Sequence, residues 1–184
     1  SLFEPLEQEF VATAAKRNLD FRIMPSSAVV RSDPLMLRRI LQNLLANALR
    51  YTQRGTVLMG CRLKGDDICI EVHDTGRGIP AEQQEAVFGP FTRLAGRGGD
   101  ETGAGLGLAI VRRVAALLDY PLSLRSQVGK GSTFAFSLPL EETAPAAEPV
   151  SALAGWSAAA QSLATAISTN ASTSDFNAAV DSFN

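Results

Sequence analysis

Hydrophobic residues spaced three and four positions apart run through residues 33–52 and predict one long helix. Its apolar face consists of Leu37, Ile40, Leu41, Leu44, Leu45 and Ala48. Asp33 can cap the first turn. Asn43 and Asn47 lie four residues apart, with Arg50 about one turn further, so two amides and a guanidinium follow one side of the helix. This side suits either the wall of a pocket for a metal-bound polyphosphate or the solvated edge of a core helix.

The rest of the pattern predicts three more helices and six strands. The helices are expected at 2–17, 80–88 and 106–118, and the strands at 19–24, 28–31, 56–64, 67–74, 121–127 and 131–138. Strands therefore come in adjacent pairs instead of alternating singly with helices. This order favours an α/β two-layer sandwich, in which a mixed sheet is covered on one face by helices.

The third and fourth strands read as a hairpin. A two-residue turn at Gly65 and Asp66 pairs Cys61 with Ile70, which places the two cysteines, Cys61 and Cys69, on opposite faces. We therefore predict free thiols and a reducing compartment.

The chain changes character near residue 140, so we assign residues 1–140 to one domain and 141–184 to an Ala/Ser-rich, low-complexity linker or tail. The tail contains apolar residues at helical spacing: Leu153, Trp156, Ala160, Leu163 and Ile167. They indicate either short amphipathic helices or a disordered segment, and the pattern leaves both open.

Charge and hydropathy narrow the classes of ligand. All 17 Lys and Arg lie before residue 141, and the tail carries five acidic residues, so the net charge of −2 divides into +3 for residues 1–140 and −5 for the tail. An excess of +3 suits a phosphate-bearing ligand and is too small to indicate nucleic acid. No apolar run reaches the roughly 18 residues that a membrane helix needs. We expect a cytoplasmic location and no membrane contact by this segment, within a parent protein that can itself be membrane-anchored.

Two glycine clusters provide candidate ligand contacts. Asp74, Gly76 and Gly78 follow a strand, where glycines let the backbone approach a ligand and a carboxylate can accept the exocyclic amine of adenine. Residues 103–107, which include Gly103, Gly105, Leu106 and Gly107, open a helix whose unpaired N–H groups suit phosphate. The second cluster follows an irregular loop and lacks Gly-Lys-Ser/Thr, which excludes the dinucleotide and Walker motifs.

Three further features surround these clusters. Phe88 and Phe91 are predicted to be packing anchors. The glycine-rich loop behind them is a candidate lid, with Arg93 and Arg97 able to reach phosphate. Thr133, which follows a turn at residues 128–131, begins the last strand and could touch a base.

In this order, the motifs resemble the catalytic ATP-binding domain of the sensor histidine kinases, within the GHKL superfamily. The resemblance covers residues 1–140, with an N box at 43–52, a G1 box at 74–80, an F box at 88–91 and a G2 box at 103–108. It implies the Bergerat α/β sandwich, binding of ATP with Mg²⁺, and phosphoryl transfer to a histidine.

The resemblance also implies roles for single residues. Asn47 is similar to the Mg²⁺ ligand, Asn43 to a second polar contact near the metal, and Arg50 to a phosphate contact, so that Asn43 and Arg50 would serve catalysis. Tyr51 would flank adenine and Asp74 would specify it, with Thr133 nearby. The glycines of the G1 and G2 boxes, Gly76, Gly78, Gly103, Gly105 and Gly107, would shape the base pocket and the phosphate end.

The superfamily also contains hydrolases, in which a Glu four residues before the metal-binding Asn activates water. Here that position is Asn43, whose amide has no useful basicity. This favours a kinase. His73, the single histidine, lies on a predicted central strand and reads as structural. We therefore expect the phosphoaccepting histidine on a separate dimerisation domain, with the receiver domain of a response regulator as the downstream partner.

Two alternatives stay open at this point. A non-catalytic nucleotide-sensing module would retain ATP binding without transfer. A serine-directed kinase of the same superfamily would transfer phosphate to another acceptor.

Overall fold

The computed structural model describes residues 2–92 and 105–143. Over these residues the order is α1 (Phe3–Lys16), β1 (Asp20–Ile23), β2 (Ala28–Val30), α2 (Pro34–Tyr51), β3 (Thr56–Lys64), β4 (Asp67–Asp74), α3 (Gly107–Leu117), β5 (Leu122–Gln127) and β6 (Gly131–Thr143). Two short 3-10 helices, Ala81–Gln83 and Ala86–Phe88, lie between β4 and α3.

The strands form one mixed six-stranded sheet. Its order is β1-β3-β4-β6-β2, and β5 also pairs with β6. β1 runs parallel to β3, and the other pairs are antiparallel. The predicted mixed sheet is confirmed.

The three helices pack on one face of this sheet. The continuous core joins Leu6 of α1, Ile40 of α2 and Val111 of α3 to inward-facing residues of the strands, such as Ile70 and Phe136. Because side chains alternate along a strand, the neighbouring residues face the other way. We call this other side the outer face. On β3, β4 and β6 it is formed by Leu58, Gly60, Arg62, Cys69, Glu71, His73, Thr133, Ala135 and Ser137.

The long helix begins and ends as its sequence predicts. Asp33 Oδ1 accepts hydrogen bonds from the backbone N–H groups of Leu35 and Met36, both at 2.9 Å, and Pro34 occupies the first turn. Its predicted apolar face is buried, from Leu37 to Ala48. Burial of this face, rather than helix propensity alone, stabilises a helix of this length in the sandwich.

The hairpin register is also confirmed. Cys61 pairs with Ile70 and Arg62 with Cys69, so the cysteines lie on opposite faces, and both are free.

Two boundaries differ from the prediction. The helix expected at 80–88 is instead the pair of 3-10 helices, and Pro80, which was expected in its first turn, is extended (ψ 142°) and precedes them. β6 continues to Thr143, three residues into the predicted linker, because β2 pairs with residues 140–143. The remainder of the tail lies outside the described residues.

Candidate nucleotide-binding site

One cavity lies between the polar side of α2, the end of β4 and the start of β6. It is lined by Asn47, Ala48, Tyr51, Asp74, Arg77, Gly78, Ile79, Val87, Thr92, Leu108, Ser132 and Phe134. Asn47 and Tyr51 face it because they are one helical turn apart on the side of α2 that the core leaves uncovered. Of the three residues predicted to form the pocket wall, Asn43, Asn47 and Arg50, only Asn47 lines the cavity.

Asp74, the last residue of β4, lines the cavity. Its side chain is 4% exposed, and Oδ1 accepts the backbone N–H of Gly76 at 2.8 Å. Burial raises the pKa of the Asp74 carboxyl to about 6, and hydrogen bonds from the backbones of Gly76 and Ser132 lower it only in part. A buried carboxylate with few donors is well suited to accept a hydrogen bond from a ligand.

Gly78 lets two backbone segments meet beside this carboxylate. Its φ is +70°, and a Cβ placed there would lie 2.0 Å from the carbonyl oxygen of Gln127. Any side chain would push the turn after β4 away from the end of β5.

Tyr51 and Arg77 form a second wall. The Arg77 guanidinium carbon lies 5.1 Å from the centroid of the Tyr51 ring, a cation–π geometry, and both residues line the cavity. Sequence reasoning missed Arg77, although it stands between the two G1-box glycines, because its position over Tyr51 depends on tertiary structure.

Beside the cavity, α2 approaches the start of α3, where Asn47 and Leu108 belong to the lining and Asn43 and Gly107 lie next to it. A Cβ placed on Gly107 would lie 3.1 Å from Asn43 Oδ1 and 3.5 Å from Asn47 Nδ2, so both asparagines approach the first residue of α3 closely. Asn43 Nδ2 donates to the carbonyl of Arg39 at 2.7 Å, which orients its amide. Two amides and the unpaired N–H groups of a helix start therefore converge, as the N and G2 boxes predict.

The F box is joined to the G2 box through the backbone. Phe91 donates its N–H to the carbonyl of Gly105 at 3.0 Å, just before Leu106, which is partly exposed. Arg93, Arg97 and Gly103 lie outside the described residues.

Three predictions need correction. Thr133 does not line the cavity: it is on the outer face, where its Oγ1 lies 3.0 Å from His73 Nδ1, and Ser132 faces the cavity instead. Phe91 is not a packing anchor, since it is 73% exposed with φ at 61°, whereas Phe88 packs edge-on against Phe134. Arg50, a predicted phosphate contact, does not line the cavity, and its carbonyl accepts a hydrogen bond from Arg17. Asn43 and Gly107 do not line it either, but they lie beside the lining residue Asn47, whereas no contact within the described residues places the side chain of Arg50 there.

His73 is structural, as predicted. It is fully buried on β4, and its ring nitrogens lie 3.0 Å from Thr133 Oγ1 and 3.1 Å from Glu71 Oε2. Burial favours a higher pKa for Glu71, but His73, Arg62 and Arg125 overcome this and lower the pKa. No described cluster of three or more His, Cys, Asp and Glu could hold a metal ion.

A two-layer sandwich in which a helix wall of amides, a strand-end carboxylate and a helix start enclose one cavity defines a nucleotide-binding domain. Comparison with known families identifies the family to which this domain belongs. Residues 32–142 match the model described as histidine kinase-, DNA gyrase B-, and HSP90-like ATPase, so the chain belongs to that family.

Its relatives include sensor histidine kinases. The chain is 37% identical over 128 residues to sensor histidine kinase RcsC of Salmonella typhimurium, covering 68% of this chain and 14% of that protein. It is 34% identical over 144 residues to the aerobic respiration control sensor protein ArcB of Escherichia coli, covering 75% of this chain and 18% of that protein. The chain thus spans less than a fifth of the length of these two relatives.

Comparison with solved structures supports the same family. Full-length ShkA in complex with AMPPNP superimposes with a TM-score of 0.67 at 28% identity, over 84% of this chain and 32% of that one. The catalytic domain of histidine kinase ThkA gives 0.64 at 25% identity, over 75% and 90%. The predicted resemblance to the ATP-binding catalytic domain of sensor histidine kinases is confirmed. Among the described residues, no helix is long and apolar enough to cross a membrane.

Proposed function

We propose that the cavity binds Mg-ATP and that the domain transfers the γ-phosphoryl group to a histidine on a separate domain. The observation that carries the proposal is the meeting of Asn43 and Asn47 with Gly107 at the start of α3. Amide groups and unpaired helix N–H groups suit phosphate oxygens and the cation that accompanies them.

The two ends of the proposed site differ in the way that the two ends of ATP differ. From Asn43 to Tyr51 the helix rises about 12 Å, at about 1.5 Å per residue. Adenine would lie at the Asp74 end, its exocyclic amine donating to the carboxylate, with the Tyr51 and Arg77 wall beside it. The triphosphate would lie at the Asn43 and Gly107 end.

The donor set fits a Mg²⁺ ion that arrives with the nucleotide. Asn47 would be its ligand through the amide oxygen, and Asn43 would support it. Mg²⁺ is commonly held by one or two protein groups plus substrate phosphates, so an amide site without a carboxylate cluster is sufficient. When bound, the ion neutralises phosphate charge.

The lining residues favour transfer over hydrolysis. Among the described ones, Asp74 is the single carboxylate, and it faces the adenine end. Asn43 stands where a general base for water would be needed, and its amide cannot take a proton. The residues of this chain would therefore position the phosphates and stabilise their charge, while a histidine nucleophile from a partner domain attacks.

Two partners follow from this proposal. A histidine-bearing dimerisation domain would receive the phosphoryl group, and a response regulator receiver domain would take it next. Both would meet this domain in the cytoplasm.

A binding experiment tests the nucleotide site. Titration calorimetry with ATP and Mg²⁺ should show binding to the wild type and a loss of at least about tenfold in affinity for Asn47→Ala, since the cation would lose its protein ligand. Gln42→Ala is the matched control on the same helix, because Gln42 bonds to Glu9 and not to the cavity. Equal affinities for wild type and Asn47→Ala would contradict the assignment.

A transfer experiment tests the reaction. The chain with labelled ATP should neither hydrolyse it appreciably nor label itself, but should label an added phosphoacceptor domain from a related sensor kinase. ATP binding without transfer to any such acceptor would instead favour the nucleotide-sensing module. Asn43→Glu, which restores a base, should raise hydrolysis, and rapid hydrolysis by the wild type would overturn the kinase assignment.

A further inference from the structure

The outer face of the sheet is buried at its centre. Leu58 and His73 are 0% exposed, and Ala135 is 6% exposed. These three positions lie on the adjacent strands β3, β4 and β6, where Leu58 pairs with His73. At the rims the same face is exposed, as at Ser123 of β5.

No described helix accounts for this burial. Within residues 2–92 and 105–143, the helices join the core on the opposite face, and Leu58, Cys69 and Ala135 lie outside that core. An uncovered sheet face would leave its central side chains partly accessible, since they stand perpendicular to the sheet, whereas Leu58 and His73 are 0% exposed.

The face also has a distinct charge. Arg22 and Arg125 lie towards its rims, and Arg62 lies nearer its centre, bonded to Glu71 at 3.2 Å. Glu71, the acidic residue at the centre, is itself paired with Arg62 and His73. The surface that a covering segment meets therefore has apolar side chains, such as Leu58 and Ala135, beside a buried polar group at its centre. Its rims carry Arg125 and also Arg22, which is paired with Asp20 at 3.3 Å.

We propose that residues 144–184 of this chain dock on the outer face. They begin where β6, a strand in the interior of the sheet order, ends at Thr143. They carry the acidic residues Glu148, Asp175 and Asp181 and no Lys or Arg, which complements the arginines. Their apolar residues at helical spacing, from Leu153 to Ile167, supply the matching apolar surface.

The dimensions agree. A helix over 153–167 would be about 22 Å long at 1.5 Å per residue. The strands from β1 through β5 span about 19 Å at about 4.8 Å per strand. One such helix crosses the whole face, and the nine residues from 144 to 152 provide enough chain to reach it.

Trp156, the single tryptophan, reports on this docking directly in the full chain. We expect blue-shifted emission and slow quenching by acrylamide in the native state. Ala135→Glu, which adds bulk and repulsive charge at the centre of the face, should shift the emission to that of an exposed indole. Ser123→Glu is the matched control, because Ser123 pairs with Ala135 but is exposed. A native Trp156 as accessible as in the unfolded chain would overturn the proposal.

The rate at which Cys69 is chemically modified provides a second test, in which only residues of the tail are substituted. It is 5% exposed on the outer face, whereas Cys61 packs on the helix side. In the full chain with Trp156→Ser and Leu163→Ser, iodoacetamide should modify Cys69 roughly tenfold faster, as exposure makes the thiol accessible. Cys61 should not change, and Gln161→Ser with Thr165→Ser, on the opposite side of the segment, should have no effect.

Two outcomes would assign the face differently. Unchanged Cys69 reactivity in the Trp156 and Leu163 variant would show that this segment does not cover it. A concentration-dependent dimer in sedimentation, with Cys69 protected only in the dimer, would show that a second copy supplies the cover. Either result contradicts docking within one chain.

Discussion

Burial makes Asp74 a good acceptor for the proposed ligand, but it destabilises the fold of the ligand-free domain. Its carboxyl is buried, and burial raises its pKa from 3.8 to about 6. The folded state therefore holds this proton more tightly than the unfolded state does. Ionising Asp74 destabilises the fold, and this cost is absent below the unfolded pKa and complete above the folded one.

Asp74→Asn should consequently stabilise the domain at neutral pH. The shift of about 2 pKa units corresponds to at most about 3 kcal/mol at pH 7.5, and the gain should vanish near pH 3.5. Urea unfolding at the two pH values measures it. Asp66→Asn, on the exposed hairpin turn, is the control and should change little. A variant less stable than wild type at pH 7.5 would contradict the desolvation argument.

Gly78 should tolerate substitution less well than a glycine of similar conformation. Gly65 has φ +63° with open space around it, while Gly78 has φ +70° and faces the Gln127 carbonyl. Gly65→Ala should cost about 1 kcal/mol from backbone strain. Gly78→Ala should cost about 1–3 kcal/mol more from overpacking. Denaturant unfolding of the pair isolates the steric part, and equal losses would argue against it.

Motif order and spacing were sufficient to predict Asn47, Tyr51 and Asp74 at the cavity. They were not sufficient for Thr133, because successive residues of a strand face opposite sides and the face follows from the pairing of Asp74 with Ser132. The prediction that Phe91 is a packing anchor was wrong for another reason. Its positive φ turns its side chain outward, and sequence does not reveal that geometry.

At the scale of elements, local signals predicted what local contacts stabilise. The cap at Asp33 and the hairpin turn at Gly65 each depend on neighbours within a few residues. The apolar face of α2 was also visible in local spacing, although its burial against distant residues is what stabilises it. The extension of β6 depends instead on Val30 pairing with Leu140, 110 residues away. Such a partner leaves no trace in the pattern of β6 itself.

The cap makes a separable contribution to stability. Asp33→Ala should lower the free energy of unfolding by about 1 kcal/mol, because the N–H groups of Leu35 and Met36 lose their acceptor. Asp33→Ser should retain most of the stability. ATP affinity should not change in either variant, since Asp33 is about 15 Å along the helix from Asn43. If the free energy of ATP binding fell by as much as the free energy of unfolding, the cap would be part of the binding site.

At the scale of the whole molecule, the site exists only where four elements converge. α2 gives the wall, β4 the carboxylate, β6 the hydroxyl of Ser132, and α3 the helix start. Sequence reasoning identified three of these contributions and could not assemble them, because the distances between them are set by the sandwich as a unit.

Nucleotide binding should depend on pH, because the fold buries Asp74 and so raises the pKa of its carboxyl group. With the pKa of Asp74 near 6, its carboxyl group is mostly protonated at pH 5 and is then a weaker, uncharged acceptor for the adenine amine. Affinity for ATP should be about tenfold weaker at pH 5 than at pH 7.5, and the gain in thermal stability on adding ATP should shrink with it. Asp74→Asn, titrated in parallel, corrects for ionisation of the nucleotide. An equal pH dependence in this variant would exclude Asp74 as the cause.

The hydrogen bond between Phe91 and Gly105 has a consequence for variation in chain length. It holds the chain before residue 93 against the chain after residue 104, so the separation of these two described ends is fixed. We therefore expect insertions between 93 and 104 to leave Gly107 beside Asn43 and Asn47, which makes this the stretch of sequence where the domain can change its size without rebuilding its site.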